Sequence, residues 1–124
     1  MNMEKIVKNN IEIVIIEENE INIKQATSAI DAIMDIKYQT NCSNIVIDKK
    51  CISEDFFQLS TGLAGEVFQK LINYHIKLAI VGDFSMYTSK ALKDFIYESN
   101  KGKAFFFVET QQQAIEKLCD MLGK

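Results

Sequence analysis

The stretch NIVID, Asn44–Asp48, is a short apolar run that ends on an acid. KLAIVGD (Lys77–Asp83) repeats this pattern, and KAFFFV (Lys103–Val108) is a third run of the same kind. Continuous runs of Val, Ile, Ala and Phe are typical of parallel strands that are covered on both faces. The three runs therefore predict a parallel sheet packed between helices.

The segment before these runs predicts an N-terminal hairpin. IEIVII, Ile11–Ile16, alternates and then becomes continuously apolar, as a strand does. The preceding KIVKNN can pair with it, because Asn9 and Asn10 tolerate the positive φ of a tight turn.

Four segments between and after the strands have helical patterns. The first has Asn22 as its N-cap, Gln25 three residues later, and an apolar stripe at Ala26, Ile30, Ile33, Met34 and Lys37/Tyr38. Two more are predicted over 59–74 and 87–99, the latter ending in a solvated cap with Asn100 or Gly102 in the left-handed region. The last starts after Thr110, with Gln113 completing a capping box, and ends at Gly123.

This order of elements predicts one α/β domain over residues 1–124: a mixed, mostly parallel sheet with an N-terminal hairpin and about four helices. A chain of 124 residues is long enough for one core, and its composition is globular.

Composition excludes several function classes. The net charge is −3, and all 14 basic residues are lysines, so no basic, arginine-rich face for nucleic acid is expected. No apolar run approaches the ~20 residues that span a bilayer, and no signal peptide is recognised, so we expect a cytoplasmic protein without membrane contact. Three cysteines without metal spacing and a single histidine, His75, predict reduced thiols, no metal site and no Ser-His triad.

The carboxyl edge of the sheet is where a ligand is expected, because strand ends and helix N-termini meet there. The chain places hydroxyls, lysines and carboxylates at that edge: Asp48, Lys50, Asp83, Ser85, Thr88 and Ser89. These residues predict a site for a small anionic ligand or a cation. The competing explanation is that strand ends and helix caps are polar in any fold of this kind.

The stretch LSTGLAGEVFQK, Leu59–Lys70, places hydroxyls and glycines at the start of a predicted helix. On a helical wheel Ser60 points toward the apolar arc, whereas Thr61 lies on the polar edge, where an added phosphate would meet helix N–H groups. Gly62 and Gly65 disfavour a helix and predict the close approach of another backbone or of a ligand.

The segment from Asn44 to Asp83 resembles the STAS domain (sulfate transporter and anti-sigma factor antagonist). The matching features are Asp48 at a strand end, STGLAG at a helix start and the order of elements. The resemblance implies a regulatory module in which Thr61 occupies the position of the phosphorylated serine. The aspartate of the family motif is replaced here by Leu59.

The run from Phe56 to Lys103 is also similar to the uncharacterised bacterial family called domain of unknown function 4180. We therefore expect a small STAS-like regulatory or binding module that acts through a protein partner or a small ligand, with no cofactor and no catalytic residue. One alternative is an enzyme on nucleotides or phosphoesters that uses Asp48 and Asp83 with a divalent cation and Lys50 or Lys90. The other is a structural homodimer without ligand.

Overall fold

The computed structural model describes residues 3–16, 26–52, 54–58 and 62–122. Its strands are β1 (Met3–Lys8), β2 (Ile11–Ile16), β3 (Asn44–Asp48), β4 (Lys77–Val81) and β5 (Phe105–Val108). Its helices are α1 (Ala26–Thr40), α2 (Leu63–Asn73), α3 (Lys90–Lys101) and α4 (Gln111–Leu122), with two short 3-10 turns at Lys49–Cys51 and Glu54–Phe57. The order is that of an α/β domain, as the sequence predicts.

The five strands form one mixed sheet in the order β1-β2-β3-β4-β5. β1 and β2 are antiparallel and are joined by Asn9 and Asn10, whose φ angles of 54° and 66° confirm the predicted hairpin turn. β2 to β5 are parallel, in a register that places Asp48 opposite Val81. The carboxyl ends of β3 and β4 are therefore neighbours at one edge of the sheet.

Two apolar layers cover the sheet, one on each face. The larger layer lies under α1, α2 and α3 and includes Ile45, Ile80 and Phe105. The smaller layer lies under α4, where Ala114 and Leu118 pack over Val46, Ala79 and Phe106. Since successive strand residues point to opposite faces, Phe105 and Phe107 belong to one layer and Phe106 to the other. All three phenylalanines are therefore core residues.

Helix α1 corrects part of the predicted apolar stripe. Among the helix residues whose burial is described, Ala29, Ile33 and Ile36 are buried, whereas Tyr38 is 79% exposed. The predicted N-cap at Asn22 lies outside the described residues.

The prediction that α3 ends in a residue with a left-handed backbone is wrong. Gly102 caps the helix with a φ of −83°, and Asn100 is also outside the left-handed region. The half-buried amide of Asn100 instead donates to the carbonyl of Phe107 (3.1 Å) and accepts from its N–H (2.8 Å). A side chain predicted to be solvated thus binds α3 to β5, because β5 passes close enough to offer both backbone groups.

The capping box of α4 is confirmed. Thr110 Oγ1 accepts from the N–H of Gln113 (3.1 Å), and Gln113 Oε1 accepts from the N–H of Thr110 (3.1 Å). None of the described helices is long and apolar enough to span a membrane.

Candidate functional site

An open cleft lies above the carboxyl edge of β3 and β4, between the connections that follow these strands. Its volume is about 550 Å³. The β3–α2 connection supplies one wall and the segment from β4 into α3 supplies the other: Glu54, Phe57, Gln58, Met86, Tyr87, Thr88, Ser89, Ala91 and Leu92. The cleft has an aromatic and aliphatic base with polar groups around it, which is the usual composition of a small-molecule site.

The wall of the cleft is held by five side chains, here called the Lys49 cluster: Lys49, Glu54, Phe57, Met86 and Tyr87. Lys49 Nζ lies 3.1 Å from Glu54 Oε1, 5.0 Å from the centre of the Tyr87 ring and 5.4 Å from that of Phe57. It also lies 3.7 Å from Met86 Sδ. The Tyr87 hydroxyl donates to Glu54 Oε2 at 2.8 Å, and the rings of Tyr87 and Phe57 stack at 5.2 Å. The cluster therefore joins the two connections that form the cleft.

Electrostatics fix the charge state of the cluster. Partial burial opposes the charge of Lys49, but interactions with Tyr87 and Glu54 outweigh it and raise the lysine pKa. Burial likewise opposes ionisation of Glu54, but hydrogen bonds from Tyr87 and Lys49 lower its pKa. Burial raises the pKa of the Tyr87 hydroxyl, and the hydrogen bond to Glu54 adds to this effect. At neutral pH the cluster is an ammonium, a carboxylate and a neutral phenol.

Gly82 makes room for the cluster. A Cβ at this position would lie 2.6 Å from Lys49 Cβ and 2.9 Å from Lys49 Cδ. The backbone of the β4 end therefore passes directly against the lysine stem, and only glycine leaves that space open.

Comparison with known proteins gives the family. The model of the family described as "Domain of unknown function (DUF4180)" matches residues 8–118, which include every described element from β2 to β5 and most of α4. The chain belongs to this family. Searches of the curated proteins and of the solved structures found no match. In the DUF4180 domain the Lys49 cluster and the cleft lie within the matched residues.

The two carboxylates predicted at the site of the DUF4180 domain, Asp48 and Asp83, form hydrogen bonds within their own loops. Asp48 Oδ1 accepts from the N–H of Lys50 (2.9 Å) and caps the 3-10 turn that carries Lys49. Asp83 Oδ1 accepts from the N–H (2.9 Å) and the hydroxyl (2.6 Å) of Ser85, and these hydrogen bonds lower the Asp83 pKa. Lys90, offered as a cation for phosphate, pairs with Asp94 at 2.9 Å.

The described part of the chain contains no group of three or more His, Cys, Asp or Glu residues placed to hold a metal ion. Its three cysteines are buried and none forms a disulfide.

Two predicted residues do line the cleft. Thr88 is exposed at its mouth, and Ser89 accepts from the N–H of Leu92 (3.2 Å) as the N-cap of α3. Helix α3 begins at Lys90, three residues later than the sequence predicts, because Ser89 caps it.

The predicted close approach of another backbone at Gly62 and Gly65 is not found among the described residues, whereas the predicted ligand contact stays a prediction. Neither Gly62 nor Gly65 would bring an added Cβ within 4 Å of another described atom. Gly62 is instead required by its backbone, since its φ of 78° lies in the left-handed region and it is the N-cap of α2. The helix begins at Leu63, four residues later than the sequence predicts. Ser60 and Thr61 themselves lie outside the described residues.

Sequence reasoning missed Lys49, Glu54, Tyr87 and Gly82 as the centre of the site. Lys49 and Glu54 follow β3, whereas Gly82 and Tyr87 follow β4. The sequence signal that could have found them is the presence of charged residues after one strand and of an aromatic residue after its neighbour. That signal is weak, because most loops contain such residues.

Alanine substitutions at Gly82 and Gly65 distinguish the effect of close packing on stability from the effect of helix propensity. Gly82→Ala is expected to destabilise the fold by about 1–3 kcal/mol, because the new methyl group overlaps the Lys49 stem. The matched control Gly65→Ala lies on the exposed face of α2, with open space around it, and is expected to stabilise by up to about 1 kcal/mol. Urea unfolding of both variants measures the difference. Equal effects would show that Gly82 is not tightly packed.

The lowered pKa of Glu54 predicts an acid-dependent stability. The carboxylate contributes above the ordinary pKa of 4.5, and this contribution is lost as the pH falls through the lower folded value. Glu54→Gln is therefore expected to be less stable than the parent at neutral pH, with a difference that shrinks in acid. Urea midpoints between pH 7 and 3 test this. Glu116→Gln, whose described partner is the neutral amide of Gln112, is the control.

Proposed function

We propose that this DUF4180 protein is a small regulatory binding module, and that the cleft above β3 and β4 holds its ligand. The single observation that carries the proposal is the open cleft of about 550 Å³ with an apolar base and a polar rim. Clefts of 300–1,000 Å³ with a few convergent polar groups are the usual setting of a small-molecule site.

The lining residues favour an uncharged or zwitterionic ligand with a planar apolar body. Tyr87 and Met86 offer apolar surface above the buried Phe57 and Leu92. The exposed residues Thr88 and Ser89 bring hydroxyls to the rim. Glu54 is the one charged residue among the described lining residues, and Lys49 neutralises it from behind. A ligand therefore needs no net charge to match the cleft, and this revises the small anionic ligand expected from the sequence.

The charge states favour binding over catalysis. A lysine with a raised pKa is a poor nucleophile, and a carboxylate with a lowered pKa is a weak general base. Both oxygens of Glu54 already accept hydrogen bonds within the cluster. The enzymatic alternative with Asp48 and Asp83 gains no support, because each carboxylate is engaged by its own loop.

The regulatory part of the proposal rests on the likeness to STAS domains. The order of hairpin, helix and three strand–helix units agrees with that likeness. Gln58, which lines the cleft, comes directly before Leu59, Ser60 and Thr61 in the chain. In this proposal the module works in a bacterial cytoplasm, and a partner protein reads the state of Thr61 or the occupancy of the cleft.

Filling the cleft tests the ligand site. A small-molecule library is screened by ligand-observed NMR against the parent protein, and the strongest binders are measured by calorimetry. Ala91→Phe places a ring in the cleft and is expected to weaken binding at least tenfold. Gln112→Phe, which adds the same ring on the exposed surface of α4, is the control. Binders that ignore Ala91→Phe, or a library without binders, would contradict the proposal.

Phosphorylation tests the regulatory role. The protein is incubated with cell extract and ATP, and intact mass reports an added phosphate. We expect one phosphate on the parent and none on Thr61→Ala, with Ser60→Ala retaining it. An unmodified parent protein, or a phosphate that survives Thr61→Ala and Ser60→Ala together, would argue against a switch at this position.

A further inference from the structure

A second concave surface lies at the opposite edge of the sheet, where α2 ends and β4 and β5 begin. This groove has a volume of about 300 Å³ and is here called the basal groove. It is lined by Phe68, Leu71, Ile72, His75, Ile76, Lys77, Lys103 and Ala104.

The base of the basal groove is apolar. Leu71 and Ile76 are buried beneath it, and Phe68 stacks on the core residue Phe105 with ring centres 6.1 Å apart. Ile72 remains 45% exposed, and the neighbouring Tyr74 is 44% exposed. Large apolar side chains that stay exposed around a concave surface are characteristic of interaction sites.

The rim of the basal groove is basic. Lys77 Nζ donates to the backbone carbonyl of Lys103 at 2.8 Å, and both lysines line the groove. Within the described part of the chain no carboxylate forms an ion pair with either lysine, and no acid lines the groove. This basic rim stands out on a protein whose net charge is −3.

The two lysines are not explained by helix termini. Lys70 lies in the last turn of α2, where a cation compensates the helix dipole. Lys77 instead belongs to β4, and Lys103 belongs to the connection that enters β5. Their shared position above an apolar base therefore suits a ligand that is both apolar and acidic.

We propose that the basal groove docks an acidic peptide segment of a partner protein, with an apolar side chain over Leu71 and Ile76 and carboxylates at Lys77 and Lys103. Charge complementarity selects the acidic sequence, because a basic segment would meet two like charges. The exposed side chain of Ile72 adds apolar surface at the edge of the groove. This site is independent of the cleft above β3 and β4.

Three capped six-residue peptides test the proposal by NMR titration of the isotope-labelled protein. The first has two central leucines between pairs of glutamates, the second replaces the glutamates with lysines, and the third replaces the leucines with serines. We expect only the first to shift the amides of Ile72, Lys77 and Lys103, and to do so more strongly at low salt. Equal binding of the lysine peptide, shifts centred on Tyr87, or no binding by the first peptide would overturn the proposal.

Variants separate docking from folding. Lys103→Glu is expected to weaken the first peptide about fivefold, the scale of one exposed ion pair, and Ile72→Ser is expected to weaken it further. Lys93→Glu makes the same charge reversal on the exposed surface of α3 and is the control. Thermal unfolding confirms that each variant is folded. Equal weakening by Lys93→Glu would show that net charge, rather than the basal groove, governs binding.

Discussion

The burial of both faces of the parallel strands is the constraint on which the rest of the structure depends. β2 to β5 carry apolar residues in alternate directions, so each face must be covered by helices. Three helices cover one face and α4 covers the other, with Leu118 and Ala114 fully buried. Parallel strands also place all their carboxyl ends at one edge, which is why the connections after β3 and β4 meet there.

The Lys49 cluster holds together the two connections that meet at that edge. Two connections lie side by side, and the lysine ties them together through one carboxylate, two rings and a thioether. The desolvation of the lysine is offset by Glu54 and Tyr87, so the charge is retained. Gly82 lets the backbone approach the lysine stem closely enough for these contacts.

An aromatic layer lies between the two concave surfaces of the molecule. Tyr87 stacks on Phe57 at the cleft, Phe56 and Phe105 follow in contact, and Phe68 reaches the basal groove. This layer packs beneath both surfaces.

The local features of the fold were determined by the sequence itself. The continuous apolar runs define the parallel strands, Asn9 and Asn10 define the hairpin, and Thr110 with Gln113 defines the start of α4. Each of these depends on residues that are neighbours in the chain, so periodicity and turn chemistry are sufficient to predict them.

Only the tertiary structure decided how distant segments meet. Lys49 contacts Met86 across 37 positions of the chain, and Tyr87 reaches Glu54 across 33. The half-buried Asn100 joins α3 to β5 because β5 passes beside it, whereas no described atom comes close to an added Cβ at Gly65. The sequence predicted the edge of the sheet that carries the site, whereas the three-dimensional packing chose the residues, because contact energies between remote side chains leave no periodic pattern in the chain.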